Sequence, residues 1–131
     1  IAGAASVLDA VAAAGVRSCV ASSGDHEKMK FTLGLTGLLA KLEGRIFSAS
    51  DVANGKPAPD LFLLAAQTLD ADASGCVVIE DSLPGVAAGL AAGMKVYGYA
   101  AGMEARQVSL AEAGAFVFDR LQDLPGLLGL N

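Results

Sequence analysis

At 131 residues the chain is long enough for one domain with its own core and too short to expect two. An apolar fraction of 53% against 18% charged residues excludes a disordered chain, and no apolar stretch approaches the ~20 residues that a membrane span needs. A net charge of −5, with nine Lys and Arg residues scattered along the chain, excludes a general nucleic-acid surface, which needs clustered cations.

The first predicted element is a helix over Ala4–Ala14, which Gly15 is placed to end in a left-handed cap. A short apolar strand, Val16–Ala21, runs into Ser22-Ser23-Gly24-Asp25, and a second helix starts near Asp25 and fades by Gly34. Arg45–Ser48 reads as the next strand, followed by the loop ASDVANGKPAP. Pro59 suits the first turn of a helix that runs to about Leu69. Cys76–Ile79 is the third strand; Ser82 caps the helix after it and Gly93 terminates that helix. Lys95–Tyr99 is the fourth strand, followed by a helix over Glu104–Ala113, a strand at Phe116–Phe118 and a short helix over Asp123–Leu128. Strands alternating with helices at this spacing predict an α/β fold, a parallel sheet with helices on both faces. Cys19 and Cys76, each in an apolar run, read as buried reduced thiols, and no signal-peptide pattern opens the chain, so a cytoplasmic protein is expected.

In such sheets ligands bind at the carboxyl ends of the strands, and three of those ends carry polar groups suited to a phosphate or a metal. Ser22, with Ser23, Gly24 and a helix start behind it, combines a hydroxyl with backbone N–H groups, the makings of an anion site. Lys56, between a Gly and a Pro in GKPAPD, adds a cation on constrained backbone. Glu80 and Asp81 follow an apolar strand directly, where two adjacent acids repel and need compensation; a hard divalent cation such as Mg²⁺ suits them. His26, Asp51 and Asp60 read as a surface residue, a structural acid and a helix-start acid.

CVASSG, DVANGKPAPDLF and VVIEDSLPGVAAGLAAGM together, and in this order, resemble the second, third and fourth motifs of the haloacid dehalogenase-like superfamily, in its phosphatase and β-phosphoglucomutase-like branch. The resemblance implies a three-layer Rossmann-like domain and Mg²⁺-dependent hydrolysis of a small phosphate monoester, a phosphorylated metabolite, through an aspartyl-phosphate. It implies that Ser22 and the Ser23 and Gly24 backbone bind the phosphoryl group, that Lys56 stabilises its charge, and that Glu80 and Asp81 hold Mg²⁺. A receiver-like signalling domain uses similar groups, but in another order along the chain.

The superfamily's first motif, a strand ending in Asp-x-Asp, has no counterpart here. Asp70-Ala71-Asp72 is a decoy: it precedes the Cys76 strand and so lies at the amino edge of the sheet, a strand's length from the other groups. The cap domain that follows the first motif is also absent. Residues 1–131 are therefore expected to be a single partial core domain, the C-terminal part of a longer enzyme; a non-catalytic phosphate- or metal-binding module on the same fold is the competing expectation. The missing strand belongs between those ending at Ser22 and Glu80, so its absence leaves two apolar strand edges open. The isolated chain is accordingly expected to self-associate or unfold without cooperativity; sedimentation and thermal melting showing a cooperative monomer would oppose this.

Overall fold

The computed structural model describes residues 3–130. The first helix, α1 (Ala4–Ala13), stops as expected, with Gly15 in the left-handed region at φ 76°. The strand that follows, β1, covers only Val20–Ser22. Its predicted start at Val16 is wrong, because its partner β2 (Ile46–Ser48) offers just three residues to pair with. Residues before Val20 are tied elsewhere, with the Arg17 guanidinium donating to the carbonyls of Leu69 and Asp70.

Helix α2 (His26–Thr36) begins at Asp25, whose carboxylate accepts the Lys28 N–H at 2.7 Å, and passes through Gly34 to end at Gly37, φ 76°. A one-turn helix, α3 (Leu39–Leu42), was not legible in the pattern; its Leu42 is nearly fully buried. The remaining elements fall close to expectation: α4 (Asp60–Thr68), β3 (Val77–Glu80), α5 (Leu83–Ala91), β4 (Lys95–Tyr99), α6 (Glu104–Glu112), β5 (Phe116–Phe118) and α7 (Leu124–Leu127). A 3₁₀ turn, Leu121–Asp123, takes the place of the predicted start of the last helix.

The strands are parallel throughout and form two sheets, β1-β2 and β3-β4-β5. Alternation along β4 divides the core: Val96 packs with Val78, Val86 and Ala88 beneath α5, whereas Tyr97 joins Phe118, Leu121 and Leu124 beneath α1 and α7. Helices therefore cover both faces of the three-stranded sheet. Helix α4 serves both sheets, with Phe62 and Ala66 in the cluster of the larger one and Leu61 and Ala65 packed on Phe47 of the smaller one. No helix among the described residues is long and apolar enough to cross a membrane.

Close approach of α5 to the sheet depends on Gly89, since a Cβ there would stand 2.6 Å from Val96 Cγ2 and 3.3 Å from Val78 Cγ2. Gly89→Ala is expected to destabilise the fold by about 1–3 kcal/mol through overpacking, read as a lowered midpoint in thermal unfolding.

Candidate active site

All three strand ends singled out in the sequence meet at the carboxyl edge, and Lys56 is the group that joins them. Its ammonium donates to the Ala21 carbonyl at 3.1 Å, the last residue before Ser22, and to Glu80 Oε2 at 2.8 Å. It also lies 5.0 Å from the centre of the Phe62 ring, a cation–π distance. The side chains of Lys56 and Glu80 are 9% and 11% exposed, so this ion pair is shielded from water rather than a surface contact.

Lys56 thus compensates one member of the acid pair within the chain itself. Glu80 is neutralised within the chain by Lys56, and its Oε1 also accepts the Ser82 hydroxyl at 3.1 Å and the Asp81 N–H at 3.2 Å. Ser82 in turn caps α5 by accepting the Gly85 N–H at 3.2 Å. Gly85 is required for this packing, because a Cβ there would fall 1.9 Å from Glu80 Cδ. Asp81 is exposed and, with Glu80, lines a shallow cavity of about 180 Å³ whose other walls are Ile79, Tyr99 and Leu121. Among the described residues no group of three or more His, Cys, Asp or Glu converges as a metal site, so the chain's own donors here are these two neighbouring acids.

The β1 loop is also more constrained than the sequence indicated. Gly24 N–H, expected to face an anion, donates instead to Ser22 Oγ at 3.1 Å, while Ser23 is exposed. Ser48, paired with Ser22 across β1-β2, is fully buried and donates its hydroxyl to the Gly24 carbonyl at 2.6 Å. Asp51 accepts the Ser48 N–H at 2.8 Å, and His26 Nε2 approaches both Asp51 oxygens, at 2.8 and 3.0 Å. The Ser48 N–H, then the His26 hydrogen bond, hold the Asp51 carboxyl below its ordinary range. His26 is a surface residue, as expected, but one paired with Asp51, and Ser48 escaped notice altogether. A signal for Ser48 lay in SASD, whose Ser and Asp three residues apart match a capping box; none marked the His26 contact.

Asp60 opens α4 and accepts the Asn54 N–H and side-chain amide, each at 3.3 Å, which steadies the loop carrying Lys56. Asp70 and Asp72 lie between α4 and β3, at the amino edge, beside a separate cavity of about 360 Å³ that none of the expected site residues lines. Cys19 and Cys76 are free and half-buried rather than fully buried; burial first, and then proximity to Cys76, push the Cys19 thiol up.

The parallel α/β layers and the convergence of these motifs at one edge define a hydrolase core of the haloacid dehalogenase type. The haloacid dehalogenase-like hydrolase profile matches residues 1–93, and the chain belongs to that family. It is 30% identical over 127 residues to the 6-phosphogluconate phosphatase of Escherichia coli, covering 97% of this chain and 55% of that protein. It is 38% identical over 95 residues to the hexitol phosphatase A of the same organism, covering 72% of this chain and 43% of that one. Among solved structures it superposes on a haloacid dehalogenase family hydrolase from Deinococcus radiodurans with TM-score 0.92 and 36% identity, covering 98% of this chain and 58% of the other. The chain thus spans about half the length of the curated relatives it matches.

With Lys56 removed, Glu80 keeps a charge in a shielded site without its partner. Lys56→Met is expected to cost about 3–5 kcal/mol of stability, and adding Glu80→Gln should recover part of that loss, measured as unfolding midpoints in a double-mutant cycle.

Proposed function

We propose that residues 1–131 are a partial core domain of a Mg²⁺-dependent phosphatase that hydrolyses a small phosphorylated metabolite through an aspartyl-phosphate, with the nucleophile carried by a strand lying between β1 and β3. The observation that carries this reading is the break between the sheets. Among the described residues β1 pairs only with β2 and β3 only with β4, while the Lys56 side chain reaches from Ala21 to Glu80 across the interval. A strand inserted there ends beside Lys56. Half-exposed Val77 and Ile79, on the open edge strand β3, give it an apolar surface.

In this reading Ser22 and the Ser23 and Gly24 backbone bind the phosphoryl oxygens, which asks Gly24 N–H to turn from Ser22 Oγ toward the ligand. Lys56 supplies fixed positive charge to the phosphate and the nucleophile, and Glu80 keeps that ammonium charged and aimed. The all-oxygen donor chemistry of Glu80 and Asp81 fits Mg²⁺ as part of its ligand set; Asp81, whose carboxylate has no recorded side-chain partner among the described residues, is the freer ligand. When bound, the ion would offset negative charge on the phosphate. Phosphate and sodium bound in the Deinococcus relative, and the phosphatase names of the E. coli relatives, support the substrate class. Two free thiols motivate assigning the protein to the cytoplasm as part of the same proposal.

The test is turnover of an aryl phosphate with Mg²⁺ by the protein at its full length. Activity abolished by Asp81→Ala, and absent from residues 1–131 alone, is the expected result; a full-length protein that binds phosphate without turning it over would instead favour the non-catalytic module.

A further inference from the structure

We infer that Ser48, Asp51 and His26 form a buckle that sets the shape of the Ser22–Gly24 loop, and that these three are positioning residues for phosphate binding. The inference rests on the phosphatase reading above and assigns work to residues that touch neither phosphate nor metal in it. The buckle is a closed ring. Ser48 Oγ donates to the Gly24 carbonyl at 2.6 Å, Ser48 N–H donates to Asp51 Oδ2 at 2.8 Å, and Asp51 meets His26 Nε2 at 2.8 Å. His26 is the first residue of α2, two residues after Gly24, so the chain itself completes the circuit.

Geometry makes the grip two-sided. Ser48 holds the loop from beneath at its carbonyl, and Asp51 holds the helix start beyond it. Ser48 is the one fully buried polar side chain among the described residues, and its hydroxyl also meets Ser50 Oγ at 2.8 Å, so its rotation is determined by partners on both sides. A loop that presents backbone N–H groups to an anion must hold its carbonyls turned away from that anion. Fixing the Gly24 carbonyl on Ser48 holds the peptide that directly follows the Ser23 and Gly24 N–H groups assigned to the phosphate, and so limits how those groups can turn. Pairing of Ser22 with Ser48 in the β1-β2 register places both ends of the clamp at the same level of the sheet.

Two measurements on the full-length protein separate the buckle from the phosphatase reading. The first is amide hydrogen exchange over residues 23–28; the second is inhibition of aryl-phosphate turnover by inorganic phosphate, with the KM for the aryl ester. Ser48→Ala and His26→Ala are expected to speed exchange in that segment and to raise the phosphate inhibition constant and KM about tenfold. His26→Gln, which keeps a donor within reach of Asp51, should restore both. Faster exchange with unchanged phosphate affinity reduces the buckle to scaffolding and overturns the inference. So does unchanged exchange in Ser48→Ala. If the unsubstituted protein neither binds phosphate nor turns over the ester, the phosphatase reading falls and the positioning role falls with it, and exchange data then report on the clamp alone.

Discussion

The Lys56–Glu80 ion pair is the contact on which the arrangement of this chain depends. β1 and β3 share no hydrogen-bond ladder, so nothing in the backbone of either sheet registers one against the other. Lys56 does that through its side chain, held at one end by the Ala21 carbonyl and at the other by Glu80. A shielded ion pair is a poor source of net stability, because desolvating two charges offsets most of their attraction. Its contribution here is geometric. It ties the end of β1 to the end of β3, the two ends that carry Ser22 to Gly24 and Glu80-Asp81, with Lys56 between them.

Small residues make that geometry possible. Gly85 leaves room for the Glu80 carboxylate against the first turn of α5, and Gly89 lets the same helix lie on Val96 and Val78 one turn later. Both glycines belong to one short Gly/Ala-rich helix, whose N-terminus is closed by Ser82, a residue that also touches Glu80. Packing of the sheet, capping of the helix and orientation of the acid are thus a single local arrangement, which explains why the sequence LPGVAAGLAAG carries so little side-chain bulk.

Layers and element order were legible in the sequence because they rest on local signals: Gly15 and Gly93 as stops, Ser82 as a cap, apolar runs as strands. Strand limits were less legible where pairing decides them. Nothing in Val16–Cys19 announces that β2 is too short to engage it. The site divides in the same way. Residues whose chemistry stands out in one dimension, Ser22, Lys56, Glu80 and Asp81, could be singled out as candidates, and the fold gathers them at one edge. The Ser48 hydrogen bond was not legible, since its carbonyl partner lies 24 residues away along the chain, nor was the His26 contact with Asp51, 25 residues apart. The difference within the acid pair was invisible for the same reason: only Glu80 meets Lys56, which lies 24 residues away along the chain, while Asp81 is exposed.

Helix α4 has a consequence for mechanics. Its neighbours Leu61 and Phe62 belong to different cores, one under each sheet, and the helix begins four residues after Lys56. The helix therefore ties the two cores together, one flank of it packed in each. A change of side-chain volume at Leu61 or Phe62 strains one core through an element that the other core also uses. The two sheets, unpaired through their backbones, are in this way coupled through a single helix.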